Sequence, residues 1–218
     1  KPTYGRVSRH GVFPLSWSLD HVGPMARTVA DVVLMLQVIA GHDRHDPTTR
    51  TAVVPDYSVA LTKDIEGARL GIPQEFYFEQ LDPEVRDSVR AALQSLERAG
   101  AQLEEISLPF SKYAASAGRI IALTESAEIH EPFLNRRSSD YSSDVRAGLL
   151  TGQLISGKHY VKAQRVRSLI RQEMAAALRR VDALVTPTVP IPATSIGQAM
   201  VDMHQETIDV TWALSRLT

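Results

Sequence analysis

The sequence predicts an α/β fold, and three observations carry the prediction. Residues 68–108 hold an apolar stretch, an amphipathic stretch and a second apolar stretch, which read as strand, helix and strand. Residues 111–180 are helical in character. Ala183-Leu184-Val185-Thr186 then supplies one more short, buried strand ahead of a proline-rich loop. A strand, a helix and a strand in succession are most simply a right-handed crossover joining two parallel neighbours.

The elements follow in order. Residues 27–40 place Val29, Val32, Val33, Leu36 and Ile39 three or four apart, the period of one helical face. Thr28 is the expected N-cap and Gly41 the stop. Residues 42–49, with Asp43, Asp46 and Pro47, read as a polar turn, and a surface loop follows through Val53-Val54-Pro55-Asp56. Residues 68–73 form a strand closed by Pro73. Asp82-Pro83 opens a helix with Val85, Val89, Ala92, Leu93 and Leu96 on one face, and Gly100 ends it. Residues 102–108 alternate well enough for a second strand. The helical stretch after them is expected to break at Glu131-Pro132 and at Gly157. Residues 157–180 set basic side chains such as Lys162, Arg165 and Arg171 against Val161, Val166, Leu169 and Met174. That pattern is a packed face backed by a solvated one, preferred here to an RNA-binding helix. Pro187 to Pro192 must lie outside any sheet interior, and residues 206–214 read as one more helix.

With 218 residues, of which 44% are hydrophobic, the chain can bury a sizeable core. A formal net charge of -1 supplies no global field for nucleic acid or for an anionic membrane. The chain has no Cys, which excludes disulfides, thiolate metal sites and a cysteine nucleophile and fits a cytoplasmic setting. No apolar run approaches the ~18–20 residues a spanning helix needs.

Several motifs invite chemistry and are better read otherwise. Gly152-Gln153-Leu154-Ile155-Ser156-Gly157-Lys158 has the spacing of a phosphate-binding loop, but His159 stands where the magnesium-binding hydroxyl belongs, and residues 147–155 read as helix. His42-Asp43-Arg44-His45-Asp46 could ligate a metal, yet Arg44 opposes a cation, and Asp43 and Asp46 shape turns well through side-chain hydrogen bonds. Ser18, Asp20 and His21 are too close along one segment to converge as a triad. Glu104-Glu105 and the pair Glu125 and Glu128 read as solvated faces. No Gly-x-Ser-x-Gly, Ser-x-x-Lys or His-Glu-x-x-His pattern is present. The residues alone assign no catalytic group, no metal and no cofactor.

The opening is the most specific stretch. Lys1-Pro2-Thr3-Tyr4-Gly5-Arg6-Val7-Ser8, Ser18-Leu19-Asp20, Gly23-Pro24 and Gly41-His42-Asp43 fall in an order that closely resembles the segment following the catalytic serines of the amidase signature hydrolases. The likeness returns at Tyr160, Ala163, Arg167 and through residues 182–188. It implies a mixed β-sheet flanked by helices, with residues 1–218 as the C-terminal part of a single amidase domain truncated at both ends. It also implies hydrolysis of carboxamide C–N bonds through an acyl-enzyme, with the lysine, cis-serine and nucleophilic serine upstream of Lys1. By the same resemblance Ser18, Asp20 and Gly23 support the site structurally, and helices such as that over residues 114–129 wall an acyl pocket.

Within the family the opening is most similar to the glutaminase component of the tRNA-dependent amidotransferase. That likeness implies Arg146 as the group holding a substrate carboxylate, although a single Arg stands where that component commonly has consecutive basic residues. A general amidase acting on a small-molecule amide is the leading reading. The alternatives are the amidotransferase glutaminase, or a non-catalytic scaffold half. The implied partners are a second copy of the chain or amidotransferase subunits, with no membrane and no direct nucleic acid. A domain cut in this way is expected to expose apolar surface near Leu184, Val185 and the helix of residues 27–40.

Overall fold

The computed structural model describes residues 1–62, 64–203 and 206–217. In chain order its elements are α1 (Val29–Ile39), β1 (Arg69–Pro73), α2 (Pro83–Arg98), β2 (Gln102–Ile106), α3 (Ala114–Arg137), α4 (Ser143–Gln153), α5 (Gly157–Ala177), β3 (Ala183–Leu184), β4 (Met200–Met203), β5 (Glu206–Asp209) and α6 (Val210–Leu214). They divide into two compact units, Lys1–Asp64 with Ile121–Ser156 and Ile65–Ile120 with Gly157–Thr218.

The second unit carries the predicted crossover. β1 pairs in parallel with β2 from Arg69↔Gln102 to Pro73↔Ile106, and in parallel with β3 at Leu70↔Ala183 and Gly71↔Leu184, giving the order β2-β1-β3. α2 starts where the sequence indicated: the Asp82 carboxylate accepts from Glu84 N at 2.8 Å, and Pro83 sits at the first turn, where its missing N–H costs nothing. Its end needs Gly100, whose φ of +93° lies in the region that a side chain opposes. Beneath the sheet Ile106, Leu108, Ala177 and Val181 form a closed core, joined by Tyr77, Met174 and Leu184.

Four expectations are corrected. β2 ends at Ile106 rather than 108, because Ser107 and Leu108 turn to give their hydroxyl and N–H to Glu75 at 2.5 and 2.6 Å. β3 is a two-residue edge with Ala183 exposed and Leu184 half-buried, not a buried strand of four. α3 runs through Pro132 without a break: the lost donor and the crowding of the ring against the carbonyl four residues back are offset by the burial of His130 and Leu134 on either side. The stretch expected to be a helix over 206–214 is helical only in α6; Glu206–Asp209 pairs antiparallel with β4, and Val201, Met203 and Ile208 pack with Ile191 and Ala213 into a small core. Among the described residues the three-stranded sheet β2-β1-β3 is wholly parallel, and the β4–β5 pair is antiparallel.

In the first unit Thr28 caps α1, its hydroxyl accepting from Asp31 N at 3.1 Å. α1 buries none of its residues fully and leaves Val29, Leu34, Met35 and Val38 exposed. Among the described residues, no helix is long and apolar enough to cross a membrane.

Candidate functional site

A dense polar cluster lies in the first unit, where α3 meets the segment between Ser8 and His21. The chain turns at Ser16, whose carbonyl accepts from Leu19 N and Asp20 N at 2.9 and 2.7 Å. Asp20 folds back so that its carboxylate accepts from Leu15 N at 2.9 Å and Ser16 N at 3.0 Å. Ser16 and Ser18 are thereby aimed at one residue of α3, Glu125. Its carboxylate accepts from Ser16 Oγ at 2.6 Å, Ser18 Oγ at 2.7 Å and Ser18 N at 3.0 Å. Glu125 is 4% exposed and Ser16 2%, so the reading of Glu125 as part of a solvated face is overturned. Glu128, one turn on, is exposed as expected.

One further turn along α3, buried His130 holds the same segment. Its Nε2 lies 3.0 Å from Pro14 O, which can only accept, so this nitrogen carries the hydrogen. In the neutral ring Nδ1 then accepts from the Tyr141 hydroxyl at 2.9 Å. Phe13 meets the rings of His130 and Phe133 edge-on. These contacts shape one side of a cavity of about 350 Å³, whose apolar wall is Phe13, Leu15 and Trp17 and whose polar wall includes Arg9, His21 and His45. Arg9 is held in place, giving Nη1–H to Trp17 O at 2.6 Å and Nη2–H to Tyr4 Oη at 2.9 Å.

The cluster at 42–46 is a turn built by its own carboxylates. Asp43 accepts from Ser8 Oγ at 2.6 Å and His45 N at 2.9 Å; Asp46 accepts from Thr48 Oγ1 at 2.6 Å and Arg9 N at 2.8 Å. The Ser8 hydroxyl, followed by the His45 amide, lowers the Asp43 pKa from 3.8 to about 2. With the folded value below the unfolded one, the stabilisation is fully present above pH 3.8 and is lost as pH falls through about 2. Asp43→Asn removes this dependence, so its melting temperature relative to the parent chain rises across that interval. Parallel melts from pH 5 to about pH 2 check it, and parallel curves throughout would refute the assignment.

The other residues singled out from sequence are placed as follows. Ser18, Asp20 and His21 form no relay: Ser18 Oγ is on Glu125, Asp20 on the amides of 15 and 16, and His21 Nδ1 on Leu19 O. A Cβ on Gly23 would lie 2.5 Å from Pro2 Cδ, so this glycine admits a close passage of the opening segment. Half-buried Arg146 on α4 donates from Nη1 to Ser138 O at 3.1 Å, using one of its five N–H groups. Gly152 lies inside α4 with its Cα against α3, and Gly157 opens α5, so no strand leads into the segment that mimics a phosphate loop. In the second unit residues 116, 117 and 120 of α3 line a cavity of about 440 Å³ with Phe110, Lys162 and Val166.

Sequence reasoning passed over Glu125 and His130. The signal was present in part: Glu125 follows buried Ile121 by four residues and His130 precedes buried Leu134 by four, so each shares a helical face with a buried apolar residue, where polar groups must find partners.

Comparison with known proteins gives a consistent result. The family model described as Amidase matches residues 1–216. An amidase of Pseudomonas putida is 40% identical over 219 aligned positions, spanning 100% of this chain and 47% of that protein. The A subunit of the glutamyl-tRNA(Gln) amidotransferase of Myxococcus xanthus is 41% identical over 226 positions, spanning 93% of this chain and 46% of that protein. Among solved structures, a chain from a vestigial complex bearing on the origins of an s-triazine catabolic enzyme superposes with a TM-score of 0.91 at 29% identity, over 100% of this chain and 47% of that one. The A subunit of the Thermotoga maritima amidotransferase superposes with a TM-score of 0.76 at 33% identity, over 91% of this chain and 43% of that one. The chain spans about half the length of the curated relatives it matches.

Proposed function

Because the chain belongs to the amidase family, we propose that it is part of an enzyme that hydrolyses carboxamide C–N bonds through an acyl-enzyme. The observation that carries this reading is the family match over residues 1–216. A serine nucleophile needs a neighbouring base and a set of oxyanion donors. Ser16 and Ser18, on either side of cavity-lining Trp17, both donate to Glu125. From the resemblance to the amidase signature hydrolases, we place the lysine, cis-serine and nucleophile of the parent outside residues 1–218. Within them, Ser18, Asp20 and Gly23 support the site, and a small-molecule carboxamide is the substrate. A cytoplasmic setting is part of the same reading and is supported by the absence of cysteine.

A second reading is favoured by the 38–41% identity to several amidotransferase A subunits. Here Arg146 holds the carboxylate of glutamine and the partners are the other amidotransferase subunits. Glutamine turnover that falls in Arg146→Ala while acetamide turnover persists distinguishes it from the general amidase.

The 218-residue chain on its own is expected to release no ammonia from acetamide, benzamide or glutamine, whereas the full-length parent does. Turnover by the purified chain that disappears on replacing one of its serines would overturn the placement of the nucleophile.

A further inference from the structure

We infer that Glu125 is a positioning residue for the acyl group of the substrate: it fixes the segment 13–18 that forms the apolar wall of the 350 Å³ cavity. The inference rests on the amide-hydrolase reading above.

The geometry separates wall from anchor residue by residue. Leu15 and Trp17, which line the cavity, are 53% and 61% exposed and bury too little to hold themselves in place. The residues that alternate with them are the fixed ones. Pro14 O is bonded to His130, while Ser16 Oγ, Ser18 Oγ and Ser18 N converge on Glu125. Asp20 secures the amides of Leu15 and Ser16 but acts within the same segment, so it shapes the turn without fixing it to a helix. Glu125 does fix it, because α3 is 24 residues long and buried through Ile121, Ala127 and Leu134. Removing its carboxylate takes from buried Ser16 and part-buried Ser18 the acceptor of three donors, and the segment must shift to satisfy them. A displacement of about 1 Å in a positioning element can cost on the order of 100-fold in rate.

The test uses the full-length enzyme with acetamide, hexanamide and benzamide. Glu125→Ala is expected to change the benzamide to acetamide ratio of kcat/KM by about tenfold or more, chiefly through KM, since the bulky acyl group reads the wall and the small one does not. Glu125→Gln should restore the ratio to within about twofold: the amide oxygen can accept from Ser16 Oγ and Ser18 N, and the amide nitrogen can donate to Ser18 Oγ. Ser16→Ala, acting from the loop side, should move the ratio in the same direction as Glu125→Ala and carries the test if that variant does not fold. Exposed Glu128→Gln should leave it unchanged. Trp17 emission, read as the difference between each variant and the same variant carrying Trp17→Phe, should shift in Glu125→Ala and return in Glu125→Gln. An equal loss on all three amides, or a Gln variant that behaves as Ala, overturns the inference. An enzyme with no turnover of any amide overturns the amide-hydrolase reading instead, and the Trp17 signal still reports whether Glu125 places the wall.

Discussion

Gly152→Ala is expected to destabilise the first unit, although the same exchange in most helices does the opposite. Alanine in place of glycine inside a helix ordinarily gains about 1 kcal/mol, because the glycine chain loses more freedom on folding. At position 152 the new Cβ would lie 2.1 Å from Leu123 O and 2.8 Å from the Ala127 Cβ. Both are backbone or backbone-adjacent atoms of α3, so no side chain can swing aside and the two helices must separate. Overpacking of this kind costs about 3 kcal/mol, which outweighs the helical gain and leaves a net loss of about 2 kcal/mol. For a chain of this size that lowers the melting temperature by roughly 4–8 °C. Gly148, one turn earlier on α4, is the control: a Cβ there meets only Leu123 Cδ2 at 3.7 Å, an ordinary contact. Gly148→Ala should raise the melting temperature slightly. If the two variants melt alike, the close approach of α3 and α4 is not as described.

Leu108→Ala should be the most damaging truncation in the second unit. Leu108 is 0% exposed and packs with Ile106, Ala177 and Val181. Its own N–H is fixed by Glu75 at 2.6 Å, so the backbone cannot move inward to fill the space. A buried leucine replaced by alanine costs about 2–5 kcal/mol, more where the site cannot collapse. At about 3 kcal/mol the melting temperature falls by roughly 6–12 °C. Leu154→Ala is the comparison, since Leu154 is 86% exposed, and it should change little. A loss at Leu108 no larger than that at Leu154 would count against the core as drawn.

The sequence made the larger pattern visible and left its joins hidden. The strand, helix and strand of residues 68–108 could be read because period, cap and terminator agreed: Asp82, Pro83 and Gly100 each do in the structure what their local chemistry favours. Pro132 misled because its cost is local, while burial of the turns on either side keeps α3 helical through it. The 206–209 strand was missed because four residues are too few to show a period, and its partner β4 decides its conformation. Glu125 was legible only in part. Its spacing from Ile121 puts it on a buried face of α3, but nothing near it in sequence names Ser16 and Ser18, more than a hundred residues away, as its partners.

That last contact has a bearing on how the protein is made. Ser16 and Glu125 are 109 positions apart, so the acceptor leaves the ribosome long after the segment it will hold. At synthesis rates of about 5–20 residues per second the wait is roughly 5–20 s. Throughout it Phe13, Leu15 and Trp17 have no anchor, and the whole of Ile65–Ile120, which belongs to the other unit, is threaded out between the two halves of the first. The nascent chain thus carries an apolar segment that cannot be secured until α3 emerges, so residues 12–17 stay unprotected through that interval of synthesis.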